Sequence, residues 1–510
     1  MGDLPLRKLL LPSSRLPYLA IILTLFTFFS TYHLYHDLPE TPTNPDPPPP
    51  PYPVAASRSG EPPDEKAIDL IERTADYFAR YPPRQPLKDQ FGERGQRAIA
   101  LKGWIHLAEE LRGETKTRVE RAVEAAAPAI FPFLAYPPNH SPMPLRSLRS
   151  RFVPGTRGIV VPAGDKNLRL ACHLVSSLLH THGTTLPIEL AYAGDGDLSP
   201  ANREVVVSLF PGADVRFLDV LGAFNDSTLD LARGRWAIKP FAAVASSFAE
   251  VALVDADTVF LQDPEVLFGQ PGYVEQGALL FHDRLIDKGR YNDRRAWWKA
   301  QVASPSAQVE KSLAWTEGYA EEGDSGVVVV DKGRVGVLVG MLHAAWQNSR
   351  EVREEVTYEI TYGDKESWWF GLELTGAGYE FEKHYGGVAG WLGDKNGPLE
   401  KEGSGGGRSE ELGVCSYVIA HLDAEEKLLW YNGSLLKNKI VDQETYLVPT
   451  HWMVDGEWDK GFRGEFSCMT GGLPVELTTG ETEVLRRSVE GAKKVDAVVR
   501  PGQRWWFPWI

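Results

Sequence analysis

The chain has 510 residues, 43% of them hydrophobic and 11% aromatic, with a formal net charge of -15 at pH 7. That length and apolar content suit a globular enzyme built as one large domain or two modest ones. The acidic balance excludes a general nucleic-acid binder, which needs a basic surface.

In chain order, the first feature is Leu16–Tyr35, which carries no Asp, Glu, Lys or Arg. About 20 such residues span a bilayer as a helix. Arg7, Lys8 and Arg15 precede the run, and Asp37 and Glu40 follow it. The positive-inside rule then predicts a cytoplasmic tail over 1–15, a transmembrane signal anchor over 16–35 and a lumenal remainder. A cleaved signal peptide is the alternative. The long apolar run and the lack of a small-x-small site before Asp37 disfavour it. A short, Phe-rich span suits the thinner membranes of the early secretory route. Residues 36–64 hold the Pro-rich stretch Pro39–Pro63, with an unbroken run Pro47–Pro51, and read as an extended stem.

Residues 65–150 read as a helical lead-in. Ala67, Leu70, Ile71, Thr74 and Phe78 recur at helical spacing, as do Ile99, Leu101, Ile105, Leu107 and Leu111. No sustained heptad favours an oligomerisation segment.

The remainder, 151–510, is the predicted catalytic domain. Gly158–Pro162 is a first strand. Asn167 opens an amphipathic helix through Leu170, Leu174 and Leu178, closed by Gly183. Pro187–Tyr192 and Asp214–Leu218 are further strands. A helix from Pro240 to Glu250, with Pro in its first turn, leads into Val251–Val254. Four apolar residues without polar alternation predict a strand buried on both faces, the habit of parallel sheets. Alternating strands and helices predict an α/β fold, with a Rossmann-like, mostly parallel central sheet flanked by helices. No G-x-G-x-x-G follows the first strand, which argues against a dinucleotide dehydrogenase.

Asp255 and Asp257 end the Val251 strand, where ligands of open α/β sheets bind. Residues two apart in extended chain share a side, so the pair can hold a hard cation that neutralises nucleotide phosphates. Capping of a turn is the competing reading.

Beyond Pro264, Glu265–Phe268 reads as a helical turn and Tyr273–Trp298 as a polar, aromatic, substrate-facing connection. Glu322–Gly326 leads into the buried strand Val327–Val330. Lys332–Gln347 is a helix, and Asp364 is placed to cap another that carries Glu366, Trp368 and Trp369. Gly403–Gly407 is a flexible insertion, and Ser416–Ala420 a late strand that delivers His421. The C-terminal Arg504–Ile510 is apolar enough to pack against the body or a partner. Cys172 reads as a buried thiol, whereas Cys415 and Cys468 can form one disulfide that spacing does not prove. Asn139, Asn225 and Asn432 head N-x-S sequons, the first weakened by Pro142.

Arg235–Pro240, Asp255-Ala-Asp257 with Gln262-Asp-Pro264, Asp324-Ser-Gly326, Gly363–Trp368 and Lys427–Gly433 occur in this order. The set resembles the fungal α-1,3-mannosyltransferases that extend Golgi glycans, over roughly Gly158 to Ser434. The resemblance implies a GT-A-like fold, a GDP-mannose donor, Mn²⁺ (or Mg²⁺), retention of anomeric configuration, and a glycan or glycoprotein acceptor. It also implies a single-pass type II protein of the Golgi membrane.

Within that frame Asp257 is the expected direct metal ligand, with Asp255 on metal or ribose. His421 is the candidate third ligand, partly because related GT-A enzymes carry a late His; a histidine satisfied at a strand end is the alternative. Asp364 and Glu366 are candidates to orient the acceptor hydroxyl or to stabilise charge on the mannosyl carbon, against helix capping. Of Trp368 and Trp369, at least one is expected in the core. Lys239 either meets a phosphate or stays at the surface. Asp324 either approaches the sugar or forms a turn. A UDP-sugar transferase is the runner-up function, and an inactive lumenal glycan-binding protein the reading from another class.

Overall fold

A computed structural model describes residues 65–83, 86–394, 397–398, 412–459 and 466–499. The predicted anchor, stem, Gly403–Gly407 insertion and C-terminal Arg504–Ile510 lie outside the described residues. Among the described residues no helix is long and apolar enough to cross a membrane.

The lead-in forms helices α1 (Glu65–Arg80), α2 (Phe91–Glu110) and α3 (Gly113–Ile130). Ile68, Ile71, Ala75 and Phe78 form the buried stripe of α1, and Phe78 stacks on Trp104 of α2 at 5.7 Å. Arg118 of α3 clamps α1 through Asp69 at 2.7 Å and Glu72 at 2.6 Å. Phe91 opens α2 and meets Trp346 edge-on at 4.7 Å, so the lead-in shares one apolar core with the sheet domain.

Seven strands make the central sheet: β1 (Val153–Pro162), β2 (Ile188–Tyr192), β3 (Val215–Asp219), β4 (Phe248–Val254), β5 (Ala278–His282), β6 (Gly323–Asp331) and β7 (Glu380–Phe381). Their order is β3-β2-β1-β4-β6-β5-β7. The pairings of β3, β2, β1 and β4 are parallel, as is β5 with β7, while β6 runs antiparallel to both β4 and β5. The sheet is therefore mostly parallel with one reversed strand. An apolar run such as Val327–Val330 reports burial on both faces but not direction.

Alternation divides these strands between two cores. Val160, Val251, Leu253, Val328 and Val330 face the lead-in together with α5 (Ile238–Ala245), α6 (Val335–Gln347) and α7 (Lys365–Leu374). Ile159, Val161, Ala252, Val254, Val327 and Val329 face α4 (Leu168–Ser176) and the opposite layer. Each such valine, leucine or isoleucine side chain contributes about 1.5–3 kcal/mol by burial.

Three sequence expectations are corrected. Helix α5 ends at Ala245 rather than Glu250, because Phe248 already enters the ladder beside β1. Tyr273–Trp298 is not all connection. It contains β5, fully buried between polar flanks, and Trp298 packs edge-on against Trp369. Ser416–Ala420 is two strands. Gly413–Ser416 pairs with Ser467–Thr470, and a disulfide joins Cys415 to Cys468 there. Ile419–Leu422 pairs instead with Leu428–Asn432, which pairs with Thr258–Phe260, so His421 sits within a strand rather than at its end.

The last helix, α8 (Thr479–Asp496), opens with a capping box between Thr478 and Glu481. Asp496 at its end accepts two bonds from Arg169 of α4, at 2.8 and 2.6 Å, and sits 2.7 Å from His173. Burial alone would raise the Asp496 carboxyl, but the Arg169 and His173 bonds outweigh it and hold it well below the usual range. A depressed folded-state pKa contributes stability that is complete above the unfolded value near ~4 and is lost as pH falls toward the much lower folded value. Asp496→Asn is thus expected to cost about 1–3 kcal/mol at pH 7. The gap to the parent should begin to narrow below ~4 and shrink further toward pH 2. Urea melts at pH 7 and pH 2 check this; a gap at pH 2 as wide as at pH 7 contradicts it.

Candidate active site

A cavity of about 850 Å³ opens along the carboxyl end of β1 and β4 and the amino end of β6. Because β6 is reversed, its first residues, Asp324 and Ser325, lie beside the last residues of β4. Asp255 and Asp257 reach this cavity, but not as an extended pair. Thr258 N–H donates to the Asp255 carbonyl at 3.0 Å, closing a turn. Turn geometry, rather than strand alternation, turns both carboxylates to one side.

Each carboxylate meets a lysine. Lys239 Nζ of α5 lies 3.0 Å from Asp255 Oδ1, 3.4 Å from Asp364 Oδ2, and donates to Ser325 Oγ at 2.8 Å. It is only 3% exposed, so the surface reading of Lys239 is overturned. Burial disfavours the Lys239 ammonium, but Asp255 and Asp364 more than offset this and raise its pKa. Burial also pushes the Asp255 carboxyl up, to about 7, against the pull of Lys239 and with Asp257 and Asp364 adding to it. Asp257 pairs with Lys439, which arrives from the segment between Leu436–Asn438 and Asp442–Tyr446.

Asp324 is buried with one edge on the cavity. Its Oδ2 lies 3.0 Å from His421 Nε2, and its Oδ1 accepts from Gly326 N at 3.0 Å. Burial alone would raise its carboxyl; the His421 bond and Lys365 hold it far below the usual range. Asp364 also lines the cavity. It makes no side-chain cap bond; it accepts from Trp368 Nε1 at 2.8 Å and faces Lys239, so the capping reading is overturned.

The mannosyltransferase family model Mannosyl_trans3 matches residues 156–423, just over half of the chain. The chain belongs to this mannosyltransferase family. Among relatives, alpha-1,3-mannosyltransferase MNT3 of Saccharomyces cerevisiae is 28% identical over 42% of this chain and 36% of its own length. MNT2 of the same yeast is 25% identical over 55% of this chain and 52% of its own, and MNN1 is 23% identical over 61% and 44%. The chain thus spans between a third and about half of the length of these relatives. Among solved structures, the galactosyltransferase LgtC, in complex with donor and acceptor sugar analogs, overlaps 44% of this chain and 73% of its own at 18% identity. The TM-score is 0.29, too low to place any residue.

The span matched by the mannosyltransferase family holds Lys239, Asp255, Asp257, Asp324 and Asp364, which the fold brings to one cavity. It does not bring Glu366 there. Two positions apart, Asp364 as the N-cap of α7 and Glu366 in its first turn point about 200° apart. Glu366 turns inward and accepts from Glu322 N at 3.0 Å, Gly323 N at 3.2 Å and Trp369 Nε1 at 2.6 Å. Burial, with Glu321 nearby, pushes its carboxyl up to about 8. Trp368 and Trp369 are both core residues, each 2% exposed.

His421 does not join Asp255 and Asp257. It stacks on Trp430 at 4.1 Å behind Asp324, and among the described residues no three His, Cys, Asp or Glu side chains gather as a metal site. The expectation of His421 as third ligand is revised: it positions Asp324. Sequence reasoning missed Lys439, whose partner lies 182 positions away, and Lys365, which lines the cavity and pairs with Asp283. Neither Lys439, in the connection between two short strands, nor Lys365, at the first position of α7, carries a local pattern that announces its contact. Asn432, which heads a sequon and falls within the Lys427–Gly433 motif, lines the same cavity.

Proposed function

We propose that the protein transfers mannose from GDP-mannose to a hydroxyl of a glycan acceptor, forming an α-1,3 linkage with retention and with the help of a divalent cation, Mn²⁺ or Mg²⁺. The observation that carries this reading is the Asp255–Asp257 turn facing a large cavity in a chain of the mannosyltransferase family. The family supports the enzyme class and the transferred sugar. The cavity is roomy enough for a nucleotide sugar, being within the ~300–1,000 Å³ of small-molecule sites.

The donor set suits the cation. Two carboxylates from one turn supply oxygen ligands of the kind Mn²⁺ and Mg²⁺ take, with phosphates and water completing the shell. Lysine ammonium groups lie against both carboxylates, so a cation bound there would share or replace counter-charges already at the cavity wall. When bound, the ion supplies charge stabilisation to the diphosphate leaving group. The chain's own residues do the rest. Lys239 holds Asp255 and Asp364 in place. Asp324, kept ionised and oriented by His421, and Asp364 are the carboxylates available to the mannosyl carbon or the acceptor hydroxyl. Lys439 and Lys365 add positive charge to the cavity wall.

We place the enzyme in the Golgi membrane as a type II protein. Support for that location comes from the amino-acid pattern of 1–64 alone.

A donor screen tests the proposal. The chain from Glu65, secreted and purified, should transfer hexose from GDP-mannose to α-linked mannobiose only with Mn²⁺ or Mg²⁺ present, read as a mass gain of one hexose. Transfer from UDP-sugars instead would replace the donor, and GDP binding without transfer would point to a glycan-binding protein.

A further inference from the structure

Two aromatic side chains on the cavity wall have no part in the chemistry above. Trp236 lies in the turn Arg235–Ala237 just before α5, and Tyr362 lies two residues before Asp364. Both line the cavity, with ring centroids 5.2 Å apart and planes inclined by 50°. Tyr362 is 53% exposed, so much of its ring is open beside the polar cavity.

The indole is held rigidly. Tyr358 meets it edge-on at 6.3 Å, and Tyr358 itself donates to Asn348 Oδ1 at 2.9 Å. On another side lies Gly363, with φ of +70°. A Cβ there would stand 2.8 Å from Trp236 Cε3, so glycine is required both by the backbone and by the ring. The segments that carry the two rings also carry Lys239 and Asp364, whose charged groups are 3.4 Å apart. The aromatic surface is therefore fixed relative to the carboxylates.

Within the cavity, Gly164 and Asn167 follow β1 on one side of β4 and Asp324 of β6 stands on the other, while Tyr362 precedes Asp364, the N-cap of α7. Two aromatic rings set at an angle beside carboxylates match the two kinds of surface of a pyranose: C–H groups that pack on a ring, and hydroxyls around the rim that the carboxylates can meet.

We propose that Trp236 and Tyr362 form the platform on which the terminal hexose of the acceptor glycan stacks, so that they set acceptor affinity. This inference rests on the transferase reading above. Tyr362→Ala and Trp236→Ala, with Trp236→Phe as the conservative partner, are to be compared with the parent. The readouts are acceptor KM and kcat for α-linked mannobiose, direct mannobiose binding by ligand-observed NMR, and GDP affinity by calorimetry with Mn²⁺.

The expected result is an acceptor KM raised about 5-fold or more in each alanine variant, with a smaller fall in kcat. Mannobiose binding should weaken in parallel, GDP affinity should hold, and Trp236→Phe should recover part of the loss. Tyr362 is exposed, so its variant tests the platform even where Trp236→Ala does not fold. An unchanged KM and unchanged mannobiose binding in Tyr362→Ala would overturn the platform. So would a matching loss of GDP affinity, which would assign the rings to the nucleobase. A parent that neither binds GDP nor transfers mannose overturns the transferase reading itself, and the NMR comparison of parent with Tyr362→Ala then still decides the platform.

Discussion

Asp257→Asn should lower mannose transfer by a factor of about 100 or more, because charge stabilisation of a leaving group by a metal is worth several kcal/mol. The amide keeps the side chain's shape and one acceptor oxygen but removes the negative charge that faces the cavity. Mn²⁺ with GDP should raise the melting temperature of the parent and do much less for the variant. From the carboxylate spacing alone, relief of Asp255–Asp257 repulsion would be expected to stabilise the metal-free variant. The fold reverses that sign. Asp257 is paired with Lys439, and the two side chains are only 15% and 23% exposed. Losing the pair should cost about 1 kcal/mol without metal. Thermal melts with and without Mn²⁺ and GDP, beside a transfer assay, check both parts. An active variant with an undiminished Mn²⁺ shift would remove the metal assignment.

Lys239→Met should damage the fold as well as the activity. The ammonium is buried among Asp255, Asp364 and Ser325. Methionine fills much of the same volume but leaves two carboxylates facing each other without a counter-charge. Breaking a buried ion pair from one side costs about 3–5 kcal/mol. The pH dependence follows from the sign of the charge. Burial already holds the Asp255 carboxyl up at about 7, above its unfolded value, and losing Lys239 removes the pull that opposes this, so protons bind preferentially to the folded variant and its stability should recover as pH falls from 7 toward 5. Urea midpoints at pH 7.5 and 5 measure this. A midpoint equal to the parent's at pH 7.5 would show that Lys239 is not the counter-ion of the site.

These results bear on how much of the protein is legible in its amino-acid order. The apolar runs Ile159–Val161, Val251–Val254 and Val327–Val330 announce strands buried on both faces, and all three lie in the central sheet. β5 was hidden because only five residues, Ala278–His282, separate polar flanks, and a window that short is dominated by its neighbours. Sheet order and the reversal of β6 were not legible either, since burial of a strand says nothing about its direction.

The site divides in the same way. Local pattern by itself determined that Asp255 and Asp257 end a buried strand and that acidic residues recur at Asp324 and Asp364, and the ordered set of motifs resembles that of mannosyltransferases. Tertiary structure alone decided which carboxylates share a cavity and what faces each of them. Helical rotation turns Asp364 to the cavity and Glu366 into the core, although only two positions separate them. A change of strand at Tyr417–Val418 carries His421 to Asp324. Lys439 and Lys239 reach their carboxylates from 182 and 16 positions away. Periodicity and capping are short-range signals, set by backbone geometry over a few residues. Ion pairs and cavity walls depend on how separate segments pack, so only the folded chain specifies them.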